Sequence, residues 1–176
     1  FLEGINLVFS EDRRTRTVAE EEAPPLIAQE ESVAYRYCTE ALVSLSPKGA
    51  ENGDALVSRV RDAISPLGDS LILTYKSPKL KVHIHTNTPE LVMERLAGFG
   101  VLLSQKADDM ALQNRLRARK PGGVGLITDS IADLPDAFLL EHCVSVLPLS
   151  VLIGQTAYLD KSTLRLPQLF KAMDRP

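Results

Sequence analysis

The sequence predicts an α+β domain followed by the opening of a parallel α/β sheet. Three observations carry this expectation. Short segments of alternating apolar and polar residues recur between residues 32 and 117. Two stretches at helical spacing interrupt them in the order β-α-β-β-α-β. Beyond residue 118, near-continuous apolar runs flank a helix, the pattern of strands buried on both faces.

The first strand is expected from Val33, in "VAYRYCTEALVSL". Tyr35, Tyr37, Ala41 and Val43 face one way, while Arg36, Cys38 and Glu40 face the other. "ENGDALVSRVRDAI" then places Leu56, Val57, Val60 and Ile64 at helical spacing, and Pro66 and Gly68 close it. "SLILTY" reads as a strand, "KSPK" as a turn and "LKVHIHT" as the returning strand of a hairpin. Pro89 opens the helix "PELVMERLAGFG", whose glycines stop it, and "VLLSQKA" is the last strand. That order is the ferredoxin-like split βαβ arrangement, in which the first and third strands are central antiparallel neighbours.

A helix from Met110 to Arg119, then Pro121 and two glycines, lead into the second unit. "VGLITDS" reads as an apolar strand. "SIADLPDAFLLEHC" reads as a turn and helix, opened by a capping-box-like pair, Ser130 and Asp133. His142 is expected at the end of that helix and Cys143 as a packing residue. "VSVLPLSVLI" reads as one further buried strand, "GQTAYLDKST" as a loop and "LPQLFKAM" as a helix. Residues 11–31 lose periodicity and carry a Pro pair and charge clusters, which predicts a linker. The chain opens on Phe1, Ile5 and Val8 without a cap and closes just after a helix, so a piece of a longer protein is expected.

Composition narrows the function. The net charge of -3 and pI near 5.7, with 5% aromatic residues and no Trp, argue against nucleic-acid binding. No apolar run approaches the roughly 20 residues of a membrane span, and the first residues lack the features of a signal peptide. Two cysteines, Cys38 and Cys143, far apart in sequence, read as thiols of a cytoplasmic protein.

Two constellations could carry chemistry. Val82 and Ile84 point to the core, so His83 and His85 share the opposite face with Lys81, and Cys38 joins them from the neighbouring strand. Three N/S donors on rigid strands suit zinc, with Glu40 as fourth ligand or hydrogen-bonded neighbour. The alternative is two surface histidines beside an unrelated cysteine. The second constellation, Thr128, Asp129 and Ser130, delivers hydroxyls and backbone N–H groups to the head of a helix, where an anion could bind. Strand-end capping explains it equally. Neither GxxxxGKS/T, GxGxxG nor GxSxG occurs, so this chain shows no nucleotide site.

Residues 123–176, through "TDSIADLP", "VLPL" and the Tyr158-x-Asp160 loop, resemble the amino-terminal part of DegV fatty-acid-binding proteins. Ile131 stands where that family usually has Thr, and Lys161 where it commonly has Gly. Residues 33–117, through "YRYCTE", "LGDSLIL" and "KVHIHTNTPE", resemble the middle domain of fatty acid kinase, and "FLEGI" resembles the tail of its DhaL-type kinase domain. The resemblance implies a zinc site at Cys38, His83 and His85. It implies domains at 1–10 (kinase tail), 32–117 (middle domain) and 118–176 (DegV start), separated by the 11–31 linker. The implied parent phosphorylates the carboxylate of a DegV-bound fatty acid with ATP and magnesium, which bind outside this chain. Of the DegV pocket, only Thr128, Asp129 and Ser130 would border the lipid. Membrane-surface contact during lipid exchange and a homodimer are further expectations. A zinc-dependent hydrolase using Cys38, His83 and His85, or a metal-free interaction module, are the competing readings.

Overall fold

The computed structural model describes residues 34–46, 53–118 and 124–174. The expected kinase-domain tail at 1–10 and the linker at 11–31 lie outside these residues, as does the glycine pair after Pro121.

The first strand, β1 (Tyr37–Leu45), starts four residues later than the periodicity suggested, because residues 34–36 bend. Its alternation holds: Thr39, Ala41, Val43 and Leu45 are buried, and Cys38, Glu40, Leu42 and Ser44 face the other way. Helix α1 (Gly53–Ile64) buries Leu56, Val60 and Ile64, one stripe at three- and four-residue spacing. A 3-10 turn over Ser65–Leu67 leads into β2 (Gly68–Lys76). A short turn then gives β3 (Lys79–Thr86). Helix α2 (Pro89–Ala97) buries Val92, Met93 and Leu96, and β4 (Gly100–Asp109) completes the sheet.

The strands lie in the order β2-β3-β1-β4, and every neighbouring pair is antiparallel. Both helices cover one face. Val82 and Ile84, fully buried, meet Val60, Ile64, Val92 and Met93 there in a continuous apolar core. The other face carries no helix of this unit, and on it lie Cys38, His83 and His85.

Two bulges adjust that face. Between Asp69 and Ile72, β2 spends one residue more than β3, with Ser70 at φ 52. On β4 the register slips beside Leu42/Val43, leaving Leu103 as the extra residue. At the start of β2, Gly68 runs so close to β3 that a Cβ would lie 1.9 Å from the His85 carbonyl oxygen. Its φ of 177 is ordinary extended backbone, so the requirement is for space alone. Gly68→Ala should therefore cost about 1–3 kcal/mol by forcing the strands apart. Urea unfolding measures it, and a shift under ~0.5 kcal/mol would mean the strands separate freely.

Helix α3 (Met110–Ala118) continues from β4, and Asp109 Oδ1 accepts from Leu112 N at 2.9 Å to cap it. The second unit then opens with β5 (Leu126–Asp129), α4 (Asp136–Glu141) and β6 (Val144–Leu147). β5 and β6 pair in parallel, as the unbroken apolar runs predicted. Their burial is less complete than expected: Val144 is buried, but Ile127 is 67% and Leu147 58% exposed.

The expected single strand "VSVLPLSVLI" is instead two. Pro148, lacking an N–H, interrupts the ladder. The chain resumes as β7 (Ser150–Ile153), which pairs antiparallel with β8 (Thr156–Leu159) inside the segment read as loop. Ser130 holds this break: its N–H donates to Leu147 O at 3.1 Å and its Oγ accepts from Leu149 N at 3.1 Å. That use corrects the capping-box reading, since α4 begins only at Asp136, with Pro135 before it, and Asp133 pairs with Lys161. His142 does end α4, and Cys143 is buried. Helix α5 (Leu166–Met173) closes the described chain.

Lys161, the residue in place of a common glycine, adopts φ 57, the left-handed region that favours glycine. Its Nζ donates to Ala132 O at 3.2 Å and to Asp133 at 3.0 Å, contacts that offset the backbone cost.

Candidate metal centre

β1 and β3 set Cys38 directly opposite His85 and Glu40 opposite His83. Directly paired residues project from the same face, so four polar side chains meet on the uncovered side of the sheet. The donor atoms of Cys38, His83 and His85 all lie within 4.8 Å of one another. Cys38 Sγ is 3.9 Å from His83 Nδ1, and the two imidazole rings stand edge to face with centroids 5.1 Å apart. A tetrahedral zinc holds a sulfur and a nitrogen about 3.5 Å apart, so small side-chain rotations bring these three to ligand spacing. One thiol and two imidazoles, all half-buried, are a donor set zinc accepts.

Glu40 stands beside the trio rather than among it. Its Oε1 is 3.4 Å from His83 Nδ1 and its Oε2 is 3.2 Å from Lys81 Nζ. The hydrogen bond from Lys81, with a further one from His83, holds the Glu40 carboxyl below its usual range against a small opposing effect of burial. It is therefore ionised at neutral pH and placed to orient His83. Burial, then the neighbouring Asp108 and Glu40 charges, push the Cys38 thiol up, with Lys106 opposing them.

Sequence reasoning missed two carboxylates here. Asp69 Oδ1 is 3.7 Å from His85 Nδ1, and Asp108 faces Cys38 across β1 and β4. Strict alternation puts Asp69 and Ile72 on opposite faces, but the bulge sets them against His85 and His83 on the same face. The signal available was polar: "GDS" at the head of a strand otherwise apolar.

Thr128, Asp129 and Ser130 lie far along the chain at the end of β5. Asp129 Oδ1 accepts from Ile131 N at 3.0 Å, while Ser130 is buried and committed to the β6–β7 break. A separate cleft of about 440 Å³ runs between β4 and α3 on one side and α4, β6 and the loop after β8 on the other. Leu112, Leu116, Leu139, Val144 and Val146 give it apolar walls, and Arg36, Asp136 and Arg165 lie on its lining. Thr128, Asp129 and Ser130 are not part of that lining.

Residues 34–117 match the FakA-like family, described as a fatty acid kinase middle domain, and residues 123–176 match the DegV family. The chain joins a fatty acid kinase-like middle domain to the start of a DegV domain. An uncharacterized protein of Staphylococcus saprophyticus is 32% identical over 101 residues, which are 56% of this chain and 18% of that protein. Uncharacterized proteins of Staphylococcus haemolyticus and Staphylococcus aureus are each 33% identical over 90 residues, 51% of this chain and 16% of theirs. The chain thus spans less than a fifth of the length of these curated relatives. The middle domain carries the Cys38, His83 and His85 cluster, and the DegV segment carries the β5–β6 pair and the Ser130 turn. Among the described residues no helix is long and apolar enough to cross a membrane.

Proposed function

We propose that this chain is part of a cytoplasmic fatty acid kinase-like fusion, in which a zinc-holding middle domain scaffolds between a DhaL-like ATP-binding domain and a DegV fatty-acid carrier. The observation that carries the reading is the convergence of Cys38, His83 and His85 on the one sheet face that no helix of the middle domain covers. The βαββαβ element order and the strand order β2-β3-β1-β4 support a ferredoxin-like assignment for residues 32–117, with the DegV unit starting at 118.

Cys38 and His85 would cross-link the two central strands through the metal, His83 would complete the protein's three donors, and Glu40 would orient His83 or take the fourth position. Zinc, when bound, supplies a rigid link between β1 and β3. In the parent, ATP and magnesium would belong to the kinase domain, the fatty acid would belong to the DegV unit, and Thr128, Asp129 and Ser130 would border the lipid. Metal-dependent hydrolysis would need Glu40 as a free general base. Its engagement by Lys81 speaks for the scaffold instead.

Elemental analysis of metal-replete chain should return about one zinc per chain, with no ATP hydrolysis by the same sample. A zinc content near zero overturns the site. A zinc-dependent esterase or phosphatase activity lost in Glu40→Gln would replace the scaffold with the hydrolase.

A further inference from the structure

Helix α4 of the DegV segment has six residues and buries none of them. It is instead gripped at both ends by arginines of the middle domain. Arg36 Nη1 donates to Asp136 Oδ2 at 3.0 Å in the first turn, and Arg115 Nη1 donates to Leu140 O at 3.2 Å near the last. These two contacts, with the cleft between them, set where the DegV segment sits against β4 and α3.

Arg36 is also the point on which the strands of the metal face converge. It lies two residues before Cys38. Its backbone N–H donates to the Asn87 side chain at 2.8 Å, two residues beyond His85. Its carbonyl accepts from Met110 N at 2.8 Å, where β4 passes into α3. Its Nε and Nη2 both meet Asp109 Oδ2, at 2.8 and 2.7 Å, leaving Asp109 Oδ1 to cap α3. Asp109 in turn follows Asp108, which faces Cys38. A link between Cys38 and His85 therefore fixes both chain segments that hold the Arg36 backbone.

We infer that Arg36 couples metal occupancy at Cys38, His83 and His85 to docking of the DegV segment through Asp136. The inference rests on the metal reading above. Arg36 is a positioning residue here: it touches neither metal nor substrate, and it acts by presenting a fixed guanidinium to α4 when the strand ends beneath it are fixed. Coupling of this kind is reciprocal, so weakening the docking contact must weaken metal binding by the same factor.

The test is the zinc dissociation constant of the 176-residue chain, measured by competition with a chromophoric chelator, with hydrogen exchange of residues 136–141 followed in parallel. Asp136→Asn removes a half-exposed carboxylate remote from the ligands, so the fold survives it. It should weaken zinc binding on the order of fivefold at unchanged stoichiometry. Zinc should slow exchange in α4 of the wild-type chain and lose that effect in Asp136→Asn. Lys171→Gln, which breaks the separate Glu94 contact on the other side of the interface, should leave zinc affinity unchanged.

An unchanged dissociation constant in Asp136→Asn overturns the coupling while leaving the metal site standing. An equal loss in Lys171→Gln overturns the assignment to Arg36. Wild-type chain that takes up no zinc removes the metal site, and the coupling with it.

Discussion

Cys38→Ser is expected to weaken zinc binding by roughly two orders of magnitude or more, since even hydrogen-bonded neighbours of a ligand are worth 10- to 100-fold. At a free zinc concentration about 100 times the wild-type dissociation constant, binding stabilises the native state by about 2.7 kcal/mol. For a domain of this size that is a rise in Tm of roughly 10 °C or more, which Cys38→Ser should abolish. The pH dependence has a definite sign. The metal takes the thiolate, and burial with the Asp108 and Glu40 charges holds the thiol protonated beyond its ordinary range. Binding at neutral pH therefore releases the Cys38 proton. This contributes up to about tenfold tighter binding per pH unit, levelling only above the raised thiol pKa. Calorimetric titrations across that range, in two buffers of different ionisation enthalpy, count the proton. Equal proton release in wild type and Cys38→Ser would remove Cys38 from the ligand set.

Ile84→Ala should be nearly as damaging by a different route. Ile84 sits between the two histidines on β3 but points the other way, fully buried in the core with Val60, Ile64 and Met93. Truncation forfeits the transfer energy of three carbons and leaves a cavity between sheet and helices, about 2–5 kcal/mol in comparable cores. Against a typical total of about 5–15 kcal/mol, that is a large share. Ile84→Val should cost about 0.5–1.5 kcal/mol and keep one zinc per chain. Chemical denaturation with and without zinc separates the effects. A loss below about 1 kcal/mol for Ile84→Ala would mean the core relaxes around the gap.

The middle domain was legible because its signals are local and mutually consistent. Alternation in "YCTEALVSL" and "KVHIHT" fixes which residues face the helices, and the same parity gathers Cys38, His83 and His85 on the other side. Asp69 escaped because a bulge reverses parity after it, and bulges leave no trace in a period-two pattern. In the DegV segment, Pro148 was visible in the sequence but its consequence was not. Whether a proline ends a strand or bends it depends on what receives the interrupted chain. Here it is the buried Ser130, nineteen residues upstream of Leu149, which the local rules had assigned to a helix cap.

The two margins of the four-stranded sheet are unequal to the invitation that free strands usually offer. Along β2, the extra residue at Ser70 and the twist it imposes break the flat run of donors and acceptors that a visiting strand would need. Along β4, the Gln105 side chain reaches across to the Ala157 carbonyl, and β8 occupies the flank without joining the ladder. Growth sideways into a larger shared sheet is discouraged at both borders. Another macromolecule meeting the middle domain is thereby directed onto its broad surface, where the thiol and the imidazoles wait.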